Sequence, residues 1–137
     1  MRGFTLIELL VVAVIVAVLA LVAYPAYTTL AQRVHRSTCQ GQLMALAAAL
    51  ESYRAHHFSY QGATVEILSP RLAGSEYYRT ELVLSGDGAS YVVTATPREG
   101  SVMAGDGALM LDSLGQTCRQ RGQPICVLGA GSTWNAD

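Results

Sequence analysis

An uninterrupted apolar run near the N-terminus constrains this chain more than any other feature of its sequence. From Leu9 to Ala23 every residue is Leu, Val, Ile or Ala, and counted from Phe4 the apolar segment is 20 residues long. As a helix it would extend about 30 Å, the thickness of the hydrocarbon core of a bilayer. No second run of comparable length follows. The pattern therefore excludes a polytopic membrane protein and predicts one apolar helix joined to one small domain.

The net charge and the absence of known motifs exclude several classes of function. Only 14% of the 137 residues are charged and the formal net charge is −1. A near-neutral chain has no strong overall field that would attract nucleic acid or anionic lipid. No phosphate-binding glycine loop, Ser-His-Asp order or metal-ligand spacing is visible in the sequence. We therefore expect neither an enzyme nor a cofactor or metal site.

Glu8 distinguishes between three interpretations of the apolar segment. A secretory signal peptide needs a small-residue cleavage site after its apolar region, and Leu21 and Ala23 match such a site poorly. A plain membrane anchor fits the length but leaves Glu8 unexplained, because a carboxylate inside an apolar span costs a few kcal/mol. The third interpretation has to account for this acidic residue.

The segment from Gly3 to Glu8 reads Gly-Phe-Thr-Leu-Ile-Glu and resembles the type III signal of type IV pilins. The resemblance implies that a prepilin peptidase cuts between Gly3 and Phe4, on the cytoplasmic side, and N-methylates Phe4. Residues 1–3 would then be a leader peptide. Glu8 would be the fifth residue of the mature chain, where in this family the carboxylate offsets the terminal amine during filament growth or docking. The physics agrees, since opposite charges attract strongly in a low-dielectric helix bundle.

Beyond the apolar segment, assigned to residues 4–24, an amphipathic continuation of the helix is predicted over residues 25–57. Pro25 removes a backbone donor, so a kink or local melting is expected there. Two apolar stripes follow at helical spacing, rotated by roughly 120° from one another. The first should meet other helices and the second should pack on the chain's own domain. The first stripe is Tyr27, Leu30, Val34 and Thr38, and the second is Cys39, Leu43, Leu46, Leu50, Tyr53 and His57.

Residues 58–137 are predicted to form a globular head of loops and antiparallel strands. A short helical turn is expected over residues 65–68, and the Ser-Gly-Asp-Gly sequence at 85–88 is typical of a hairpin turn. The predicted fold class is α+β, a long N-terminal helix whose second stripe packs on a small antiparallel sheet, as in type IV pilins. The strand candidates lie at 78–84, 91–96, 108–112 and 125–128.

Two segments of the head resemble those of PilE-type minor pilins. Residues 91–97 read Tyr-Val-Val-Thr-Ala-Thr-Pro, and residues 108–115 read Ala-Leu-Met-Leu-Asp-Ser-Leu-Gly. The resemblance implies a minor pilin of a type IV pilus, with cell adhesion and twitching motility as associated roles. One departure is that family heads often carry a cysteine just before the second segment, where this chain has Asp106 and Gly107.

Three cysteines are present, and an exported head would meet an oxidising compartment. A bridge between Cys118 and Cys126 is favoured, closing a short loop that would stabilise the fold by roughly 2.5 kcal/mol. Cys39 would then be a buried thiol. The alternative is a bridge from Cys39 to Cys118 or Cys126, which would tie the helix to the sheet.

Two further functions compete with that of a structural subunit. In a DNA-uptake pilin, Arg119 and Arg121 on the cysteine-bounded loop could contact phosphates, although an ordinary solvated loop is the simpler interpretation. A pseudopilin of a type II secretion system shares the same N-terminus.

The resemblance to type IV pilins implies other pilin subunits, the prepilin peptidase and the inner-membrane assembly machinery as partners. It places the chain in the inner membrane before assembly, with its N-terminus cytoplasmic, and in an extracellular pilus afterwards.

Overall fold

A computed structural model describes residues 3–135 of the chain, so Met1 and Arg2 of the expected leader lie outside the described residues. It has the predicted architecture, a long N-terminal helix packed against a small antiparallel sheet. The elements are α1 (Leu6–His57), α2 (Val65–Leu68), α3 (Pro70–Ala73), β1 (Tyr78–Leu84), β2 (Tyr91–Pro97), β3 (Leu109–Asp112) and β4 (Thr117–Arg119).

Helix α1 has 52 residues and would be about 78 Å long at 1.5 Å per residue. It begins at a capping box, in which the Thr5 hydroxyl accepts from the Glu8 N–H at 3.3 Å and the Glu8 carboxylate accepts from the Thr5 N–H at 3.4 Å. It ends at His57 and is capped by Phe58, whose backbone is left-handed (φ 59°) and whose N–H donates to the Arg54 carbonyl at 2.7 Å.

Pro25 lies inside α1, and the helix continues through it. Of the kink or local melting expected at this position, the melting does not occur. The hydroxyls of Thr28 and Thr29 both donate to the Pro25 carbonyl, at 2.9 and 3.0 Å. These side chains therefore add polar contacts in the turn that follows the missing backbone donor.

The second stripe of α1 packs on the sheet as predicted, while the first stripe contacts little of the chain. Leu43, Leu46 and Leu50 are completely buried. Burial of a leucine side chain contributes roughly 2 kcal/mol, so these positions bind the helix firmly to the head. At the end of the stripe Tyr53 is half-buried and His57 is exposed. The core also includes Cys39, Tyr60, Tyr78, Tyr91, Val93, Ala95, Met103, Leu109, Leu111 and Trp134.

The four strands form an antiparallel sheet in the order β1-β2-β3-β4. Residues of β2 and β3 alternate between buried and half-buried, which identifies the face that covers α1. The turn between β1 and β2 requires glycine at position 88, where φ is +65° and a Cβ would lie 2.3 Å from the Ser59 hydroxyl oxygen. The predicted strands at 78–84, 91–96 and 108–112 agree with β1, β2 and β3 to within one residue at each end.

The predicted strand at 125–128 is wrong. These residues have no strand pairing, and the Ile125 and Val127 side chains are 67% and 87% exposed. The fourth strand is Thr117–Arg119, which lacks an apolar pattern and follows a tight turn from β3. In that turn the Asp112 carboxylate accepts from the Gln116 N–H at 2.8 Å. Turn chemistry and backbone pairing, rather than side-chain hydrophobicity, therefore place this strand.

Candidate functional site

The N-terminal part of α1 presents apolar side chains to solvent on every side. All of residues 4–24 are exposed, with Leu6 at 82%, Leu10 at 53% and Leu21 at 76%. This helix is long and apolar enough to cross a membrane, and none of its most apolar stretch is buried within the chain. A surface of this kind is not stable in water, so lipid or other protein must cover it.

Gly3 and Phe4 lie just before the helix, in exposed non-helical backbone. A bond in such a segment is accessible to a peptidase, whereas a bond inside α1 would first have to be freed from its helical hydrogen bonds. The capping box turns the Glu8 carboxylate back toward Thr5, the next residue after Phe4. Among residues 3–135 no ion pair to Glu8 is formed. An amine at Phe4 would therefore arise close to a carboxylate that has no cationic partner in the described part of the chain.

A polar junction joins α1 to the head beyond the apolar segment. The Gln32 amide donates to the Val102 carbonyl at 2.8 Å, and the His35 ring stacks on Tyr77 with ring centroids 3.7 Å apart. These contacts lie on the turns of α1 that precede Cys39, before its buried apolar stripe begins. They fix where along the helix the head starts.

The strongest element of the junction is a buried carboxylate between two arginines. Arg36 Nε donates to Asp106 Oδ2 at 2.8 Å, and a second guanidinium nitrogen of Arg36 bonds to Asp106 Oδ1. Arg119 donates from one guanidinium nitrogen to the Asp106 carbonyl at 3.0 Å and from Nε to the Trp134 carbonyl at 3.0 Å. The Asp106 and Arg119 side chains are each 1% exposed, so these charges depend on one another.

This arrangement corrects one sequence hypothesis. Arg119 is not on a solvated loop but on β4, buried and hydrogen-bonded within the head, so it cannot reach a DNA phosphate without unfolding its surroundings. Arg121 is exposed and stays available for an anion. The Arg36–Asp106–Arg119 cluster was not anticipated, because the sequence around Asp106 reads only as a glycine-flanked turn. The positive φ values of Gly105 and Gly107, +80° and +92°, form that turn.

Cys118 and Cys126 form a disulfide with a Cα–Cα distance of 6.0 Å. Cys39 is a free thiol, 2% exposed, at the start of the buried stripe. Burial raises the pKa of Cys39 to about 12, so its thiol is protonated and unreactive at neutral pH. The alternative bridge from the helix to the sheet is not the one that this structure contains.

Comparison with known proteins adds two family matches. A model described as "Type IV minor pilin ComP, DNA uptake sequence receptor" matches residues 25–118. A prokaryotic N-terminal methylation motif matches residues 1–24. Between them the two models cover residues 1–118 without overlap.

One curated relative and two solved structures are similar to the chain. The type II secretion system core protein G of Pseudomonas aeruginosa is 38% identical over 58 residues, which are 42% of this chain and 41% of that protein. A type IV pilin from Shewanella oneidensis aligns with a TM-score of 0.52 and 24% identity over 63% of this chain and 89% of that one. The Neisseria meningitidis non-core minor pilin PilV aligns with a TM-score of 0.55 and 16% identity, covering 66% and 87%. At these identities the two structures establish the fold alone.

Proposed function

Because the chain belongs to the ComP family of type IV minor pilins, we propose that it is processed at its N-terminus and built into a pilus through the apolar half of α1. One observation carries this proposal: the apolar side chains from Phe4 to Tyr24 are exposed all around the helix. Such a surface is covered by lipid while the precursor is anchored and by other pilin helices after assembly. The subunit would thus exchange one apolar environment for another.

Processing would occur between Gly3 and Phe4, on the cytoplasmic side of the membrane. Exposed, non-helical backbone at these residues and the methylation-motif match over residues 1–24 support this assignment. Removal of residues 1–3 would leave Phe4 as the methylated terminus. The prepilin peptidase and the inner-membrane assembly machinery are the partners that this step and the following one require.

Glu8 would be the polar determinant of assembly. Its carboxylate faces the start of α1 and forms no ion pair within the described residues. In a bundle of apolar helices an unpaired carboxylate is costly, so a cation must be supplied. The Phe4 amine of a neighbouring subunit has the required charge, and the pairing would place successive helices in register.

Replacement of Glu8 tests the proposal directly. Glu8→Gln keeps the side-chain shape and an oxygen that can accept from the Thr5 N–H, but it removes the charge. We expect at least a tenfold drop in the subunit recovered from sheared pili relative to total subunit, since loss of one partner of a buried pair costs roughly 3–5 kcal/mol. Glu66→Gln, an exposed acid on α2, is the matched control. Equal recovery of the two variants would refute the role of Glu8.

Processing has its own measurement. Mass spectrometry of the mature N-terminus should find a chain that starts at Phe4 and carries one added methyl group. Gly3→Ala should leave residues 1–3 in place, while the head keeps its disulfide. A mature Gly3→Ala chain starting at Phe4 would contradict the proposed cleavage site.

Binding of duplex DNA is a second candidate function, favoured by the DNA-uptake receptor description of the family model that matches residues 25–118. With Arg119 buried, Arg121 is the remaining arginine of the original hypothesis. The full chain in uncharged detergent micelles should bind a labelled duplex at low salt, with an affinity that falls as salt rises. Arg121→Gln should weaken binding and Arg79→Gln, at the opposite edge of the sheet, should not. Absence of binding at low salt would remove this candidate.

A type II secretion pseudopilin is the remaining alternative, supported by the likeness to the Pseudomonas aeruginosa protein. That likeness spans 58 residues, whereas the minor-pilin model covers residues 25–118. Deletion of the gene in its own host separates the two functions. Loss of pilus-dependent traits with normal secretion supports the pilus, and the reverse result supports the pseudopilus.

A further inference from the structure

A cavity of about 550 Å³ opens at the junction between α1 and the head, and four of its lining side chains are arginines. Arg33 and Arg36 project from α1, while Arg119 and Arg121 come from β4 and the residues after it. Thr29 and Gln32 complete the wall on the helix side. With Arg33 and Arg36 they have the i, i+3, i+4 and i+7 spacing of one helical face. The wall is thus cationic and otherwise polar.

In the part of the chain that the structure describes, two of these arginines have side-chain partners and two do not. Arg36 and Arg119 are held by Asp106, as described above. Arg33 and Arg121 are exposed, and within residues 3–135 neither makes a side-chain hydrogen bond or an ion pair. Asp106, the carboxylate that pairs with Arg36 and Arg119 within residues 3–135, is buried behind them. Among the described residues no carboxylate pairs with Arg33 or Arg121, so the open side of the cavity carries local positive charge although the whole chain is nearly neutral.

The cavity lies just beyond the apolar segment of α1, so it faces the headgroup region when that segment spans a bilayer. Arg33 follows Tyr24 by nine residues, which is about 14 Å along α1. Side chains on a helix lean toward its N-terminus, and arginine extends its charged head toward the membrane interface. The guanidinium of Arg33 can therefore extend from this level toward the interfacial layer, which reaches roughly 5 to 8 Å beyond the hydrocarbon core.

We infer that Arg33 and Arg121 bind the phosphate of an anionic phospholipid headgroup while the subunit is anchored in the membrane. The inference rests on the anchored precursor of the proposed function. Two guanidinium groups supply paired donors with the geometry that phosphate oxygens accept. The bound headgroup would hold the head at a set depth and tilt above the bilayer. A DNA duplex is a poorer occupant, because the cavity lies beside a helix that lipid or other pilin helices cover.

Lipid retention by the full chain tests this inference. The chain is placed in nanodiscs that mix phosphatidylcholine with the anionic lipid phosphatidylglycerol. It is then extracted in uncharged detergent, and its retained lipids are measured by native mass spectrometry. We expect phosphatidylglycerol to be retained over phosphatidylcholine. Arg33→Gln and Arg121→Gln should each reduce that retention about fivefold, the effect of one basic residue at a membrane surface. Arg79→Gln, an exposed arginine on β1, is the control of equal charge change.

Each outcome of this experiment bears on the inference. Equal retention of the two lipids by the unaltered chain, or full retention by the Arg33→Gln/Arg121→Gln double variant, would overturn it. In a parallel arm the chain in micelles is titrated with inorganic phosphate, and phosphate binding without lipid retention would assign the cavity to the free anion instead. Displacement of retained lipid by duplex DNA would assign it to DNA. Because only unassembled subunit is used, failure here leaves the filament tests with Glu8 unaffected.

Discussion

The two halves of α1 are continuous in backbone but opposite in environment. From Leu6 to Tyr24 the helix is wholly exposed and, apart from Glu8, apolar on every side. Beyond Cys39, by contrast, Leu43, Leu46 and Leu50 are completely buried against the sheet. Hydrophobicity alone does not explain the difference, since leucines occur in both halves. The C-terminal half has a polar face and a partner within the same chain, and the N-terminal half has neither. A helix apolar all around is made for an environment that the chain itself does not provide.

The polar junction lies between the two halves, and a substitution there should cause the largest loss of stability. Asp106→Ala should lower the free energy of unfolding by about 4 kcal/mol, because it removes the carboxylate that Arg36 and the buried Arg119 share. Urea unfolding of the full chain in micelles, followed by fluorescence of the single tryptophan, Trp134, measures this loss. Glu81→Ala, an exposed acid on β1, should change the value by less than about 0.5 kcal/mol. Similar losses in both variants would show that the cluster does not stabilise the junction.

A pair of truncations contrasts the halves themselves. Leu46→Ala should cost about 3 kcal/mol of head stability, since it leaves a cavity in a fully buried site. Val14→Ala, in the exposed half, should leave the unfolding of the head unchanged and act only on membrane or filament packing. The same urea experiment measures both variants. A substantial loss for Val14→Ala would mean that the apolar half contributes to the head's own stability.

The loop at the far end of the sheet gives a smaller effect. Replacing Cys118 and Cys126 together with serine should cost roughly 2.5 kcal/mol, because the unfolded chain regains the freedom of a short loop. Unfolding of the oxidised parent and of the double variant in micelles gives the difference. An unchanged midpoint in the double variant would mean that β3 pairing holds β4 without the bridge.

Cys39 marks the point where the buried half begins, and its reactivity sharpens that boundary. With a pKa raised from 9.0 to about 12, native Cys39 should be alkylated by iodoacetamide at pH 8 at least about 100-fold more slowly than in the unfolded chain. Because folding raises the pKa of Cys39, the folded state favours the protonated thiol. Labelling should therefore accelerate as the pH rises toward 12. Thr38→Cys combined with Cys39→Ser places the thiol on the neighbouring exposed position and should label rapidly. Equal alkylation rates at positions 38 and 39 would show that the buried half of α1 does not begin at Cys39.

Sequence reasoning succeeded where the signal is local. The β-branched and aromatic residues around a glycine turn predict the hairpin strands at 78–84 and 91–96, and the structure pairs these strands with each other. The N-terminal motif likewise depends only on neighbouring residues, and the methylation-motif match over residues 1–24 agrees with it. The short β4 carries no such signal, because three residues without alternation are recognisable only through the strand they pair with.

The sequence by itself determined that this chain has a pilin-type N-terminus, one long helix with a buried stripe and an antiparallel head. Each of these follows from periodicity or from a contiguous motif. Only the tertiary structure decided that Arg119 is a buried structural residue, that Asp106 binds Arg36 across 70 positions, and that Arg121 and Arg33 share a cavity. The physical reason is that the role of a charge depends on its burial and its partner. Both are set by segments that meet in space and are far apart in the chain.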